Sequence, residues 1–244
     1  MPRERVPAPL ALPGLRRLSA PMPTSRRSSA TTAEDALHSA PMSPSLRALA
    51  RRGVQRPLRK NAQIIHEGDI GDTLFIVLSG RLRAYATSAD GRELTYGVYG
   101  AGEFVGEMGL DGGARSAHVE AVEATLCAVV TRPTLEQHLQ GDPAFAFELL
   151  AKVIRRARAA TLNMKQIALN DVYGRLKTLL DSLATAQPDG TRLIEPAPSH
   201  LEMSQLLGCG REMVSKVLKE LEKGGYVSVG RRRVLLLKAL APKW

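Results

Sequence analysis

The sequence predicts an α+β chain: a β-rich, jelly-roll-like N-terminal half, one long helix, and a small helical domain closed by a hairpin. Three observations predict it. Between Gln63 and Arg132, short apolar runs alternate with glycine-bearing turns. From Ala144 to Tyr173 no Gly or Pro interrupts the chain. Beyond a turn-rich break after Leu183, two short helical patterns flank Gly208-Cys209-Gly210 and end on a basic hairpin. The expected boundaries are a leader over 1–43, a β-domain over 44–140, a helix over 141–172 and a C-terminal domain over 173–244.

In the β-rich part, the candidate strands are Ile64-Ile65, Leu74 to Leu78, Leu82 to Tyr85, Leu94 to Val98, His118 to Val122 and Leu126 to Val130. Ala89-Asp90-Gly91 and Asp111-Gly112-Gly113 supply turn chemistry between them. Short strands at this spacing mark a sandwich or barrel, and a jelly-roll-like closure hides the sheet edges. Asp142-Pro143 then reads as a helix start, with Pro at the first helical position. The uninterrupted run allows a helix of about 30 residues and ~45 Å. Leu150, Val153, Ala157, Ala160, Met164 and Ile167 step alternately by three and four, the seam of a coiled coil. Alanines at its centre suit close approach of two identical helices, so a homodimer through 141–172 is expected.

Ser199-His200-Leu201-Glu202 fits a capping box, in which Ser199 caps the helix and Glu202 reaches back. A second helix is expected from Arg211 to about Lys223, ended by Gly224-Gly225. Two strands around Gly230-Arg231-Arg232-Arg233 complete a winged helix-turn-helix. In the second helix Val214, Val217, Leu218 and Leu221 form the apolar stripe. Arg211, Glu212, Ser215, Lys216 and Lys219 therefore face outward. An Arg fork matches guanine O6/N7, and a carboxylate accepts from cytosine N4–H, so Arg211 and Glu212 suit base edges. Ser199, His200 and the hairpin arginines suit phosphates, which position rather than specify.

The formal net charge of +10 fits a polyanionic partner such as double-stranded DNA. Hydrophobic residues make up 44% and aromatics only 4%, so the cores rest on aliphatic side chains. The two cysteines, Cys127 and Cys209, lie far apart, which argues against a disulfide framework or a metal cluster and for a reducing cytoplasm. The five histidines are scattered, and the chain holds neither a Ser/His/Asp set nor a P-loop, so an enzyme is not expected. The absence of a run of about 18 apolar residues speaks against a membrane span. Residues 1–43 carry six arginines, Arg3 to Arg27, against one acid, Glu4, before Glu34, and are expected to be disordered. Such a leader also imitates a transit peptide, or an upstream extension of a chain begun at Met22 or Met42.

Leu207-Gly208-Cys209-Gly210-Arg211-Glu212-Met213-Val214-Ser215-Lys216-Val217-Leu218 closely resembles the recognition motif of the cyclic-AMP receptor protein/fumarate-nitrate regulator (CRP/FNR) family. Ile64 to Gly80 is similar to the entry hairpins of cyclic-nucleotide-binding β-rolls. Phe104-Val105-Gly106-Glu107-Met108-Gly109-Leu110-Asp111-Gly112-Gly113-Ala114-Arg115-Ser116-Ala117 resembles the family's phosphate-binding cassette. The resemblance covers roughly residues 50–240 and implies a transcription regulator whose β-roll takes a cyclic nucleotide. Cyclic AMP is the first reading, cyclic GMP the second and an altered pocket the third. Arg115, Ser116 and local N–H groups of Gly106, Met108 and Ala117 are then the phosphate site, with Glu107 on the ribose hydroxyl. Arg156 matches an arginine that reaches the cassette carboxylate. Thr161 keeps a hydroxyl where the family touches adenine, while its neighbour Ala160 lacks one. Arg211, Glu212 and Lys216 fall on base-reading positions, so TGTGA-like palindromic half-sites and contact with RNA polymerase are implied. Two departures stand out: Lys216 replaces a common Arg, and the Glu107–Arg115 loop is one residue shorter than the family's usual minimum.

Overall fold

The structure is a computed structural model and describes residues 33–241. It divides into one unit ending at Arg158 and a second from Ala159 onward.

The first unit opens with helices α1 (Ala33–Ser39) and α2 (Pro44–Arg52). Ser43 caps α2 by accepting from the Leu46 N–H at 3.1 Å, and Pro44 fits the first turn, where no intrahelical donor is needed. Strands β1 (Val54–Leu58), β2 (Gln63–Ile65), β3 (Leu74–Ser79), β4 (Arg81–Thr87), β5 (Glu93–Gly100), β6 (Phe104–Val105), β7 (His118–Ala121) and β8 (Thr125–Val130) follow, with a 3-10 turn at Glu107–Asp111. They form two antiparallel sheets, ordered β1-β8-β3-β6 and β2-β7-β4-β5.

Strand β3 explains how the layers stack. Its residues alternate in direction, yet Leu74 to Leu78 are all buried. Phe75 and Val77 meet Leu82, Ala84, Val119 and Ala121 of the other sheet. Leu74, Ile76 and Leu78 pack on the opposite face, against Leu37, Leu46, Leu49 and Phe145 from the helices. A strand covered on both faces reads as a continuous apolar run. Helix α3 (Arg132–Gly141) adds Leu135 to the helical layer, and α4 (Ala144–Leu169) adds Phe145.

The leader expected to be disordered over 1–43 is ordered from residue 33. Ala36, Leu37 and Ala40 are buried, and the Arg47 guanidinium donates to the carbonyls of Leu37, His38, Ala40 and Met42. Composition favours disorder across the leader, but these apolar side chains find a ready core to cover. The expectation for 1–32 lies outside the described residues. The long helix is also shorter than expected: α4 ends at Leu169 instead of continuing to 172. Asp171 takes an extended conformation and accepts from the Gly174 N–H at 2.7 Å, starting a new helix, α5 (Val172–Leu183).

The second unit holds α5, β9 (Thr185–Ala186), β10 (Arg192–Ile194), α6 (His200–Leu207), α7 (Arg211–Lys223), β11 (Val227–Gly230) and β12 (Arg233–Leu236). Its sheet runs β11-β12-β10-β9. Leu176, Leu180, Ile194, Met203, Val214, Leu218 and Val234 share one core. The wing hairpin therefore packs on the same apolar centre as both helices of the helix-turn-helix.

Candidate ligand cassette and nucleic-acid interface

The cassette starts where β6 ends. Gly106 takes a left-handed conformation, φ 94°, and turns the chain into the 3-10 segment that carries Glu107 and Met108. Gly112, also left-handed at φ 88°, ends it and returns the chain toward Arg115. The shorter loop thus closes without losing either charged residue.

Arg115 is 6% exposed. Its Nη1 donates to the Gly106 carbonyl at 2.7 Å, and its Nη2 donates to the carbonyl and hydroxyl of Thr73, each at 3.0 Å. Side chains are missing where the guanidinium needs room: a Cβ at Gly71 would stand 3.1 Å from Nη2, and one at Gly109 would stand 2.8 Å from Nη1. Burial pushes the Arg115 pKa down, while Asp72 and Glu107 pull it up. Glu107 is paired with Arg156, Oε1 to Nη1 at 2.6 Å, with both side chains mostly buried. Arg156 also donates to the Phe104 carbonyl at 2.5 Å and stacks its guanidinium over the Tyr99 ring at 4.4 Å. Burial raises the Tyr99 pKa.

Sequence reasoning thus paired Glu107 with Arg156 through the resemblance, and the two do meet. It did not foresee Thr73, Gly71 and Tyr99, whose roles depend on strands distant in the chain. Ser116 is exposed, and its hydroxyl donates to the Met108 sulfur at 3.2 Å; Met108 itself is 60% exposed. Ala117 is buried. Thr161 is exposed and belongs to the second unit. The short segment from Gly106 to Arg115 thus carries a buried, fixed guanidinium at one end and a paired carboxylate at the other.

In the second unit the Ser199 hydroxyl accepts from the Glu202 N–H at 3.2 Å, while Glu202 accepts from the Ser199 N–H at 2.6 Å. Both halves of the capping box are therefore made. Gly208, left-handed at φ 62°, ends α6, and Gly210 starts α7 in extended geometry. Val214, Leu218 and Leu221 bury one face of α7. Arg211, Glu212, Ser215, Lys216 and Lys219 line a shallow groove on the other. Ser215 is half-buried, unlike Arg211, Glu212, Lys216 and Lys219 beside it, and its Oγ lies 2.8 Å from His200 Nδ1. Arg232 at the wing tip adopts φ 53° and approaches Glu202 at 3.6 Å.

A family model for the cyclic nucleotide-binding domain matches residues 55–142, and one for the Crp-like helix-turn-helix domain matches residues 174–241. The cAMP-activated global transcriptional regulator Vfr of Pseudomonas aeruginosa is 33% identical over 185 residues, covering 72% of this chain and 85% of that protein. The chain belongs to the CRP/FNR family of transcription regulators.

Other CRP/FNR relatives agree. The cAMP-activated global transcriptional regulator CRP of Escherichia coli is 29% identical over 180 residues, covering 71% of this chain and 84% of that protein. A solved structure of the c-di-GMP responsive global regulator CLP from Xanthomonas campestris is similar with a TM-score of 0.69 at 26% identity, covering 80% of this chain and 98% of that one. The chain thus joins the CRP/FNR cyclic-nucleotide-binding domain to the family's DNA-binding helix-turn-helix. Among the described residues, no helix is long and apolar enough to cross a membrane.

Proposed function

We propose that this CRP/FNR regulator binds palindromic DNA as a homodimer and reads TGTGA-like half-sites with Arg211, Glu212 and Lys216. The observation that carries the reading is α7: it buries Val214, Leu218 and Leu221 and leaves Arg211, Glu212 and Lys216 exposed. Ser199 and the wing arginines contact phosphate. Dimerisation through α4 is supported by Leu150, Val153, Met164 and Ile167, which are 40–65% exposed in the single chain. Two copies on DNA place their α7 helices about 34 Å apart, one helical turn.

The cassette is proposed to take a cyclic nucleotide, cyclic AMP first and cyclic GMP second, with Arg115 and Ser116 on the phosphate and Glu107 on the ribose. A nucleotide controls DNA binding only by its differential affinity for the two states of the protein. A specific observation favours a second reading, a ligand-independent regulator. Arg115 already bonds to Gly106 and Thr73, and Glu107 already pairs with Arg156. Self-satisfied groups of this kind hold the β-roll together without a ligand.

Calorimetry and DNA-shift assays on the full chain decide between the two. Saturable heat with cyclic AMP, together with tighter retention of a TGTGA-type palindrome, is the expected result. Cyclic GMP and cyclic di-GMP serve as comparison arms, the latter because the Xanthomonas relative responds to it. DNA affinity that no nucleotide changes supports the ligand-independent reading. A wild-type chain that binds no duplex at low salt overturns both.

A further inference from the structure

We propose that Arg51, Arg52, Arg56, Arg59 and Lys60 form a second DNA-contact surface, one that takes the phosphate backbone of duplex flanking the recognised palindrome. This deepens the DNA-binding reading and rests on it. No acid lies between Asp35 and Glu67, a stretch that holds these five cations and Arg47. Arg47 is engaged by the carbonyls around the end of α1, while the other five residues are exposed.

Three consecutive pieces of chain present them. Arg51 and Arg52 close α2, Arg56 lies on β1, and Arg59 and Lys60 occupy the turn into β2. That turn is fixed. The Ala62 N–H donates to the Arg59 carbonyl at 3.0 Å, Asn61 adopts φ 64°, and its N–H donates to the Ala121 carbonyl at 2.6 Å. Strand β1 is the edge of its sheet, and its one neighbour, β8, carries no charged residue. Among the described residues none of the five cations makes an ion pair, whereas Arg81, Arg83, Arg92 and Arg132 of the same unit each hold a carboxylate.

Local structure accounts for part of this charge. Cations in the last turn of α2 suit the helix dipole, and Arg56 beside Pro57 deters pairing at an exposed edge. Neither reason reaches Arg59 and Lys60, and neither explains the missing acids. Composition selects the partner. Val54 is the one large aliphatic side chain exposed in this stretch, so the surface lacks the apolar centre of a protein interface. A surface that follows phosphates is polar and rich in Arg, whose fork matches phosphate oxygens. Duplex held by α7 runs on past its half-sites, so phosphates are supplied at high effective concentration.

Fluorescence anisotropy over a salt series tests this on the full chain with two TGTGA-type duplexes. One ends at the palindrome, and the other is extended by ~20 bp, about two helical turns, on each side. Each phosphate contact adds about 0.9 to the slope of log affinity against log salt. Two or more flanking contacts should steepen the wild-type slope on the long duplex by about 2 or more, roughly a tenfold larger loss of affinity over a fourfold rise in salt. Arg56→Gln/Arg59→Gln and, separately, Arg51→Gln/Arg52→Gln should shrink this difference, leave binding of the short duplex nearly unchanged and keep the order of preferred bases. Arg92→Gln/Arg132→Gln removes the same charge from the same unit and should preserve the wild-type difference. A full difference retained in both patch variants, or an equal loss in the Arg92→Gln/Arg132→Gln control, overturns the proposal. Wild type that binds the palindrome without regard to its flanks sinks this inference alone and points to an acidic protein partner instead. Wild type that binds no duplex at low salt sinks the DNA-binding reading itself.

Discussion

Replacing Leu37 with Ala tests whether the N-terminal helix is part of the β-roll or an ornament on it. Leu37 is 4% exposed and shares a cluster with Leu46, Leu49, Phe104 and Phe145. Truncating a buried leucine costs about 2–5 kcal/mol, from lost transfer energy plus the cavity left behind. Helix α1 is only seven residues long, so its backbone can shift to close part of the cavity, and the lower half of that range is expected. For a unit of this size, each kcal/mol moves the midpoint by roughly 3–6 °C, so the β-roll transition should fall by roughly 6–21 °C. The assay is scanning calorimetry at one fixed protein concentration, because self-association would otherwise shift the midpoint. His38→Ala is the control: its side chain is exposed, and the carbonyl that Arg47 uses is unchanged. A Leu37→Ala midpoint within about 1 °C of wild type would mean that α1 does not cover this core in solution. A chain begun at Met42 would lose Ala36, Leu37 and Ala40 together with three of the four Arg47 acceptors.

Four further outcomes are expected. Arg115→Lys keeps the charge but loses the fork that reaches Gly106 and Thr73 together; the β-roll should lose about 1–3 kcal/mol in denaturant titrations without any nucleotide, and unchanged stability would remove the structural role of Arg115. Arg211→Ala should weaken specific DNA binding by about 1–3 kcal/mol and relax one base position in a competition assay. Ala157→Glu, on the exposed seam of α4, should shift the sedimenting species from dimer to monomer. Burial pushes the Cys127 thiol up to about 12, so a thiol reagent at pH 8 should reach Cys127 only after unfolding. The sign follows: the unfolded thiol ionises near 8.5 and the folded one does not, so the contribution of Cys127 is complete below pH 8.5. It falls by about 1.4 kcal/mol per unit as pH rises toward 12, and Cys127→Ala should flatten that alkaline loss.

What could be read from the sequence was local. The capping box at Ser199 and Glu202, the Gly208 stop and the apolar stripe of α7 each depend on neighbours within one or two turns, and each appears where its residues predict. Strands β3 and β8 were legible because their apolar runs are continuous. Strand β1 was not: it carries Arg56 and Pro57, is mostly exposed, and owes its form to pairing with β8 alone. Helix α1 was hidden for a related reason, since Arg47 and a distant core hold it; α2 does place Leu46, Leu49 and Ala50 on one face behind a Ser43 cap, but it spans only nine residues beside a Pro- and Arg-rich leader. In the cassette, the residues were legible but their bonding was not. A guanidinium that suits a phosphate also suits two carbonyls, and only the missing Cβ atoms of Gly71 and Gly109 show where Arg115 lies. The contact between His200 and Ser215 spans 15 positions in two helices, and no local pattern announces it.

The far end of the chain has a practical consequence. Tyr173, at the start of α5, donates its hydroxyl to the Ala241 carbonyl at 2.7 Å, and Leu240 is 5% exposed within the core that Tyr173 shares. The first helix and the last residues of the DNA-binding part are thus stitched to each other, so the segment behaves as a cassette with its own clasp. A tag fused directly behind Leu240 would pull on that clasp, whereas a spacer added after Ala241 would leave it shut. Cutting ahead of Asp171 and behind Ala241 frees a piece whose ends already meet, which makes it suitable for transplantation onto a foreign sensor.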